Sequence, residues 1–368
     1  MVMAEATTLV VGGGLAGAAC AIALAREGRS VIVLERTPGP HHKVCGEFLS
    51  AEAQALLADL GLDVWAMGAS PARELGLEFG GHLTRVTLPF RGAGLSRLKL
   101  DQALLDVAAH AGAQIQRGVT VTRLDHATSS LAVQTTAETL AASQVVLATG
   151  KHNLRGVPRP PTANVAFKMH VRPSAAGAAT LGNLVHLSMF RGGYAGICMV
   201  EDGIATIAWV IEHEVLGDTD GWADHAEYLS NRSPFFTAIL SDATALWEKP
   251  VAVASVPYGF LREDTIAEAV YPVGDQLVVI PSYTGDGTSI ALHTGLAAAK
   301  AILGGETAPQ FQKETLKRLR SQIAWAKLAD IAFVNTTAQR VTAALARLIP
   351  WAMPPIARFV THKTRLRV

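Results

Sequence analysis

The chain opens on a short run of β-branched and apolar residues, Thr7–Gly12, which stops on glycines and predicts a buried strand. From Gly14 to about Glu27 alanine and leucine dominate without proline, and Ala18, Ala21, Ile22 and Ala25 share one face. That pattern predicts a helix, which Gly28 ends. Ser30–Glu35 (SVIVLE) is a second β-branched strand, completing a βαβ unit of about 30 residues. Leu98–His110 places Leu100, Leu104, Leu105 and Ala108 at helical spacing. Short strands are expected around Gln114–Arg123 and Ser130–Thr135, and Val145-Val146-Leu147 returns to a buried sheet. Pro158, Pro160 and Pro161 then break the pattern and mark a crossover.

Beyond Asn164 the periodicity changes to short alternating strands, Val165–Val171, Leu184–Phe190 and Ile204–Ile211, with turns at Gly192-Gly193 and Asp202-Gly203. One helix is expected near Trp222–Leu229. Glycine-rich sequence returns at Val273–Gly295, and the stretch from Lys313 to the last residue reads as largely helical with a proline-broken tail.

Composition narrows the class without naming it. Of the 368 residues 49% are hydrophobic and 17% charged, which describes a chain with a large core and not a disordered one. The formal net charge of +1 argues against a nucleic-acid partner, whose phosphates need a concentrated basic surface. Cys20, Cys45 and Cys198 lie far apart, so free thiols in a reducing compartment are expected. No uninterrupted apolar run of the roughly 18 residues needed to span a bilayer is seen. The first residues lack a basic signal-peptide start, and the expected location is cytoplasmic.

The first chemistry-bearing motif is Gly12-Gly13-Gly14-Leu15-Ala16-Gly17. Gly12 permits the turn out of the strand, Gly14 lets backbone approach a pyrophosphate, and Gly17 lets the helix pack on the sheet. The helix N-terminus, with Leu15 and Ala16 in its first turn, faces the phosphates. Glu35 ends the second strand about 20 residues on, where a carboxylate accepts ribose hydroxyls, and Arg36 follows it. A GxGxxG alone is weak. Set between two strands with an acid at that offset, it predicts a dinucleotide site.

Three later segments carry a resemblance. Ser96-Arg97-Leu98-Lys99-Leu100-Asp101-Gln102-Ala103-Leu104-Leu105 resembles an RxxLDxxLL helix. Tyr271-Pro272-Val273-Gly274-Asp275, then Pro281 and Gly285-Asp286-Gly287-Thr288-Ser289-Ile290-Ala291, resemble a GD…PxxGxG motif, and Lys43-Val44-Cys45-Gly46-Glu47 carries a Cys-Gly pair. Together they resemble the FAD-dependent aromatic hydroxylases and geranylgeranyl reductases. The resemblance implies FAD as cofactor, Arg97 against its flavin side, Asp275 on the ribityl chain, and Gly285, Gly287, Thr288 and Ser289 beside the ring. It also places Cys45 and Gly46 near the flavin, with Cys45 either tuning the redox site or merely packing there. A helix opening at Thr288 would aim its positive end at the ring.

Two segments depart from those families. Where the hydroxylases have DGxxSxxR, this chain has Thr149-Gly150-Lys151-His152-Asn153-Leu154-Arg155, keeping Gly150 and an arginine but not the acid or serine. Where the reductases have GGYxWxFP, Gly192-Gly193-Tyr194-Ala195-Gly196-Ile197-Cys198-Met199 loses the Trp, Phe and Pro that line the prenyl tunnel.

The expected architecture is α/β, a Rossmann-like FAD-binding domain (1–90, with strands near 72–92 able to join the substrate side; 91–160; 263–305) with an inserted β-rich substrate domain at 161–262 and a helical C-terminal segment at 306–368. Met169, Met189, Tyr194, Gly196, Cys198 and Trp209 are candidates for an apolar substrate pocket, and Cys45, Tyr283 and His293 for catalysis. His170 is a further ionisable group expected near the ring. His41-His42 has no partner at metal spacing, so no metal is expected. The reaction expected is oxidation or reduction of an apolar or aromatic small molecule. NAD(P)H would be a transient electron donor, because no second dinucleotide fingerprint exists. Oxygen insertion is favoured over alkene reduction or dehydrogenation, and a non-catalytic electron carrier at a membrane is the third reading. The tail Arg347–Phe359 mixes apolar and basic residues; it could rest on a membrane, but packing on its own domain is favoured.

Overall fold

A computed structural model describes residues 7–125, 131–216, 219 and 221–334, with side chains to 324. The tail Arg347–Phe359 lies outside the described residues.

Short apolar runs buried on both faces build the centre of the first sheet, and the more polar Gln114–Arg117 forms one edge. Its order is Val270–Pro272, Gln144–Leu147, Thr8–Val11, Val31–Glu35, Gln114–Arg117, every pair parallel. The helices Leu15–Arg26 and Arg97–His110 pack on it, as the Rossmann-like reading requires. The helix Gly287–Leu303 lies across Leu15–Arg26 at a contact only glycine allows: a Cβ on Gly295 would sit 2.2 Å from the Ala16 carbonyl oxygen.

The second sheet has nine strands and draws them from two separated stretches. The hairpin Ser70–Phe79 and His82–Gly94 pairs through Ser70–Phe79 in parallel with Leu184–Phe190. Gly193–Met199, Ala205–Glu212 and Asn164–Arg172 follow, all antiparallel. Alternation splits their side chains into two cores. Phe167, Met169, Val171, Ile197, Ile207, Trp209 and Ile211 go to one face, beneath Tyr228, Leu229, Phe235, Phe236 and Ile239. Met189, Tyr194 and Val210 go to the other, with Leu75, Leu77, Val86 and Tyr283.

The sequence predicts one helix over this sheet; the structure has more. Ala175–Leu181 and Pro234–Leu240 join Trp222–Ser230. Both extra helices are short but well capped: Ser174 accepts from the Gly177 amide at 3.1 Å and Ser233 from the Phe236 amide at 3.1 Å. A third, smaller sheet, Val121–Asp125, Leu131–Thr135 and Thr139–Ala142, covers the outer face of the first. The helix Ala308–Val334 closes the described chain. Among the described residues no helix is long and apolar enough to cross a membrane.

Candidate functional site

The glycine loop leaves the first strand with Gly12 in the left-handed region, φ 106°, its amide donating to the Leu34 carbonyl at 2.9 Å. A Cβ at Gly12 would fall 2.4 Å from the Ala148 oxygen, and one at Gly17 2.0 Å from the Gly12 oxygen. Both glycines therefore serve packing. Gly14 is different: a Cβ there would meet only the ends of two cations, Lys43 Nζ at 3.5 Å and Arg97 Nη2 at 3.7 Å. No side chain caps the helix that starts at Leu15, so its first amides are left for a ligand.

Lys43 and Arg97 converge on one carboxylate. Arg97 donates to Asp101 at 2.6 and 2.9 Å, and Lys43 lies 2.8 Å from it. Burial acts to raise the Asp101 pKa, but Arg97 and then Lys43 outweigh it and bring it down to about 2. Two cations on one anion leave a surplus positive charge beside Gly14, which suits a pyrophosphate. Glu35 accepts from the Gly13 amide at 2.9 Å and from the Thr37 amide and hydroxyl at 3.0 and 2.5 Å. Burial pushes its pKa up, and Lys43 with these hydrogen bonds more than reverses that, so it is an anion at neutral pH.

At the far end, the Gly274 amide donates to Thr294 Oγ1 at 2.8 Å, and Asp275 pairs with Lys151 at 3.1 Å. Gly285 has φ 71° and Gly287 opens the helix Gly287–Leu303 with no atom within 4 Å of its Cβ direction. Both ends belong to one cavity of about 450 Å³. It is lined at the loop end by Gly12, Gly14, Leu15, Ala16, Glu35, Arg36 and Arg97, and farther along by Cys45, Gly46, Gly150, Gly274, Asp275, Gly285, Gly287 and Thr288. The rest of its lining mixes apolar residues, including Val44, Phe48, Val253, Val279 and Ile280, with polar ones such as His41, His42, Glu47 and Lys151.

Other sequence candidates fall elsewhere. Pro281 and Ser289 stand just behind the cavity wall, Ser289 donating to the Asp286 carbonyl at 2.9 Å. Tyr283 is buried edge-on against Tyr194, ring centroids 5.2 Å apart. His293 is fully buried nearly two turns into its helix, its pKa lowered by burial, and does not line the cavity. Among the pocket candidates, Met189, Tyr194, Gly196 and Cys198 belong to the side of the large sheet nearer the cavity, Cys198 Sγ meeting the Gly46 carbonyl at 3.5 Å. Met169 and Trp209 sit in the opposite, helix-covered core. Sequence reading passed over Lys43, Lys151, Lys168 and Glu47 as individual residues. The signal for Lys168 is a lysine at the centre of a largely apolar strand, VAFKMHV.

A two-ended cavity with bare helix amides and surplus positive charge at one end, and an open glycine-started helix at the other, fits a flavin dinucleotide. Residues 5–155 match the family model of the FAD binding domain. The chain resembles the FAD-dependent oxidoreductases. It is 27% identical to the menaquinone reductase of Mycobacterium tuberculosis over 320 residues, covering 81% of this chain and 76% of the relative. In fold it is similar to a flavin-dependent brominase, with a TM-score of 0.77 at 16% identity, covering 97% of this chain and 94% of that one. It is similar also to a geranylgeranyl bacteriochlorophyll reductase-like protein from Thermoplasma acidophilum, with a TM-score of 0.71 at 18% identity, covering 98% and 92%. The FAD-dependent resemblance expected from the motifs is met by these relatives.

Proposed function

We propose that the chain is an FAD-dependent reductase that adds hydrogen, supplied by a reduced nicotinamide, to a double bond of an apolar small molecule. The observation that carries this reading is extent: the relative aligned over 320 residues, through both the nucleotide-binding part and the large sheet, is a reductase. Bound FAD would supply the chemistry, accepting a hydride from the donor and passing it on.

The chain's own residues have separate tasks. Leu15 and Ala16 offer amides to the pyrophosphate, with Lys43 and Arg97 neutralising it. Glu35 accepts ribose hydroxyls. Asp275, Gly285, Gly287 and Thr288 hold the flavin end, where the start of the helix Gly287–Leu303 favours negative charge. Val44, Phe48, Val253 and Ile280 exclude water and offer an apolar wall to substrate. Tyr194, Met189, Gly196 and Cys198 extend that wall along the sheet. Cys45 faces the cavity from the flavin side, while Tyr283 supports the wall from behind.

A second reading, oxygen insertion, draws support from one observation. The reductase motif loses its Trp, Phe and Pro in Gly193–Met199, leaving Gly196 and Cys198 where larger residues would line a prenyl tunnel. Anaerobic turnover separates the two. Purified FAD-loaded protein, a reduced nicotinamide and isoprenoid quinones should, without oxygen, give a product still heavier by two hydrogens after its ring is re-oxidised to the quinone. A product heavier by one oxygen, formed only in air, would replace the first reading with the second.

A further inference from the structure

Two neighbouring parallel strands, Gln144–Leu147 and Val270–Pro272, end at the cavity, and the turn after each brings one charged residue to its lining, Lys151 and Asp275. Gly150, at φ 61°, bends the first turn. Gln276 Nε2 ties that turn to the second by donating to the Gly150 and His152 carbonyls at 2.8 and 2.9 Å. The two side chains thus leave a braced backbone and meet at 3.1 Å, both partly exposed. Burial acts to lower the Lys151 pKa, but its partners, Asp275 first, outweigh it and hold it above the ordinary lysine value. The ammonium is charged at neutral pH.

A second cation shares Asp275. Arg159 is 5% exposed, does not line the cavity and donates to the Asp275 carbonyl at 2.7 Å. Its Nη2 is buried with no hydrogen-bond partner among the described residues. Burial lowers its pKa to about 10 against the pull of Asp275, and it too stays charged at neutral pH. Two cations beside one carboxylate leave a positive charge over, as Lys43 and Arg97 do around Asp101 at the loop end. The other carboxylates of the lining are taken. Glu35 is held by Gly13 and Thr37, and Glu47 by buried Lys168 and by His170 Nε2 at 2.6 Å. One side-chain atom each of His42, Glu47 and His170 lie within 4.8 Å of one another, a cluster the sequence spacing did not foresee. The Lys168 ammonium beside it repels a dication. Tyr194, within reach of the Lys151 charge, is pushed up by burial and stays neutral.

At the loop end the surplus charge suits a pyrophosphate. At the Asp275 end the ring of oxidised FAD is neutral, so the surplus has no partner until electrons arrive. A hydride carries two electrons and one proton; it oxidises the donor and leaves the ring with one negative charge. The start of the helix Gly287–Leu303 supplies roughly half a positive charge toward it. We propose that Lys151, held by Asp275, supplies the rest and is the counter-charge of the reduced cofactor. No bond to Lys151 forms or breaks, and it keeps its protons throughout. The inference rests on FAD occupying the cavity. It holds for hydrogenation and oxygen insertion alike, because both start from this reduction.

The test uses full-length, FAD-loaded protein, titrated with dithionite against indicator dyes at about pH 8, above the imidazole range. Lys151→Met should lower the midpoint potential by at least about 30 mV, a tenfold loss of reduced against oxidised FAD for a two-electron couple. Fluorescence titration should show oxidised FAD bound nearly as tightly as in the wild type. Lys151→Arg, which keeps the charge, should recover most of the potential. A merely structural role would weaken both oxidation states alike and leave the potential where it was. An unmoved potential in Lys151→Met therefore overturns the proposal, as does a Lys151→Arg potential that falls as far. If Lys151→Met fails to fold, Lys151→Gln is read by the same criterion. A folded variant of either kind that binds no oxidised FAD gives the residue to cofactor binding and also overturns the proposal. A wild-type chain that holds no FAD would instead overturn the functional reading beneath it.

Discussion

Gly14 turns an open Cα face toward Lys43 and Arg97, so an acid placed there would compete with the phosphates for both cations. Gly14→Asp should weaken FAD at least about tenfold, or ~1.4 kcal/mol, with the melting temperature of the FAD-free protein little changed. Fluorescence quenching of titrated FAD reads the first and calorimetry the second. Glu47 makes a different forecast, in pH. Its carboxylate titrates lower in the folded chain than its ordinary 4.5, at about 2, so the folded state binds fewer protons than the unfolded one in between. The stability it contributes is complete above pH 4.5 and is lost as pH falls toward 2. In urea titrations Glu47→Gln should flatten that acid decline. At neutral pH it should cost stability on the order of 3–5 kcal/mol, because it strands buried Lys168.

At the scale of elements, the pattern of apolar positions located the strands and the two nucleotide-side helices well, because each carries a period of its own. It could not tell which face of a strand meets the cavity. Along Asn164–Arg172 both faces are buried, one against helices and one against the cavity loop, so Met169 and Lys168 were equally eligible by alternation alone. The deciding contacts come from Phe235 and Phe236, far along the chain. The strands expected near 72–92 are the hairpin Ser70–Gly94, but the pattern could not name their partner strand Leu184–Phe190, more than ninety positions away. The glycine motifs were legible because close backbone approach leaves glycine no substitute, as at Gly12 and Gly17. The two faces can be tested separately. Trp209→Ala should cost about 3–5 kcal/mol in the unfolding free energy while sparing KM in whatever protein folds. Gly196→Phe, on the other side of the sheet, should raise KM or lower kcat while FAD stays bound.

For the whole molecule, the cavity draws its lining from both ends of the sequence, the loop at Gly12–Ala16 and the helix start at Gly287–Ala291, as well as from Val251–Val253 at the large sheet. Cofactor binding should therefore stabilise the chain as a unit. With FAD at 100 times its Kd, unfolding should become harder by about 2.7 kcal/mol and remain a single transition by calorimetry. Two transitions, with only one shifted by FAD, would show the large sheet unfolding independently of the cofactor site.

The helix beginning at Gly287 packs through Gly295 onto Ala16, joining the first and last walls of the cavity. During synthesis this contact sets a schedule. The glycine loop emerges early, yet its partner helix and the edge strand Val270–Pro272 are still unmade. At about 5–20 residues per second, roughly tens of seconds separate the two ends of the site. The nascent chain must therefore pass the interval between them without its cofactor and with the loop uncovered, and a supply of FAD matters only once the helix beginning at Gly287 has been made.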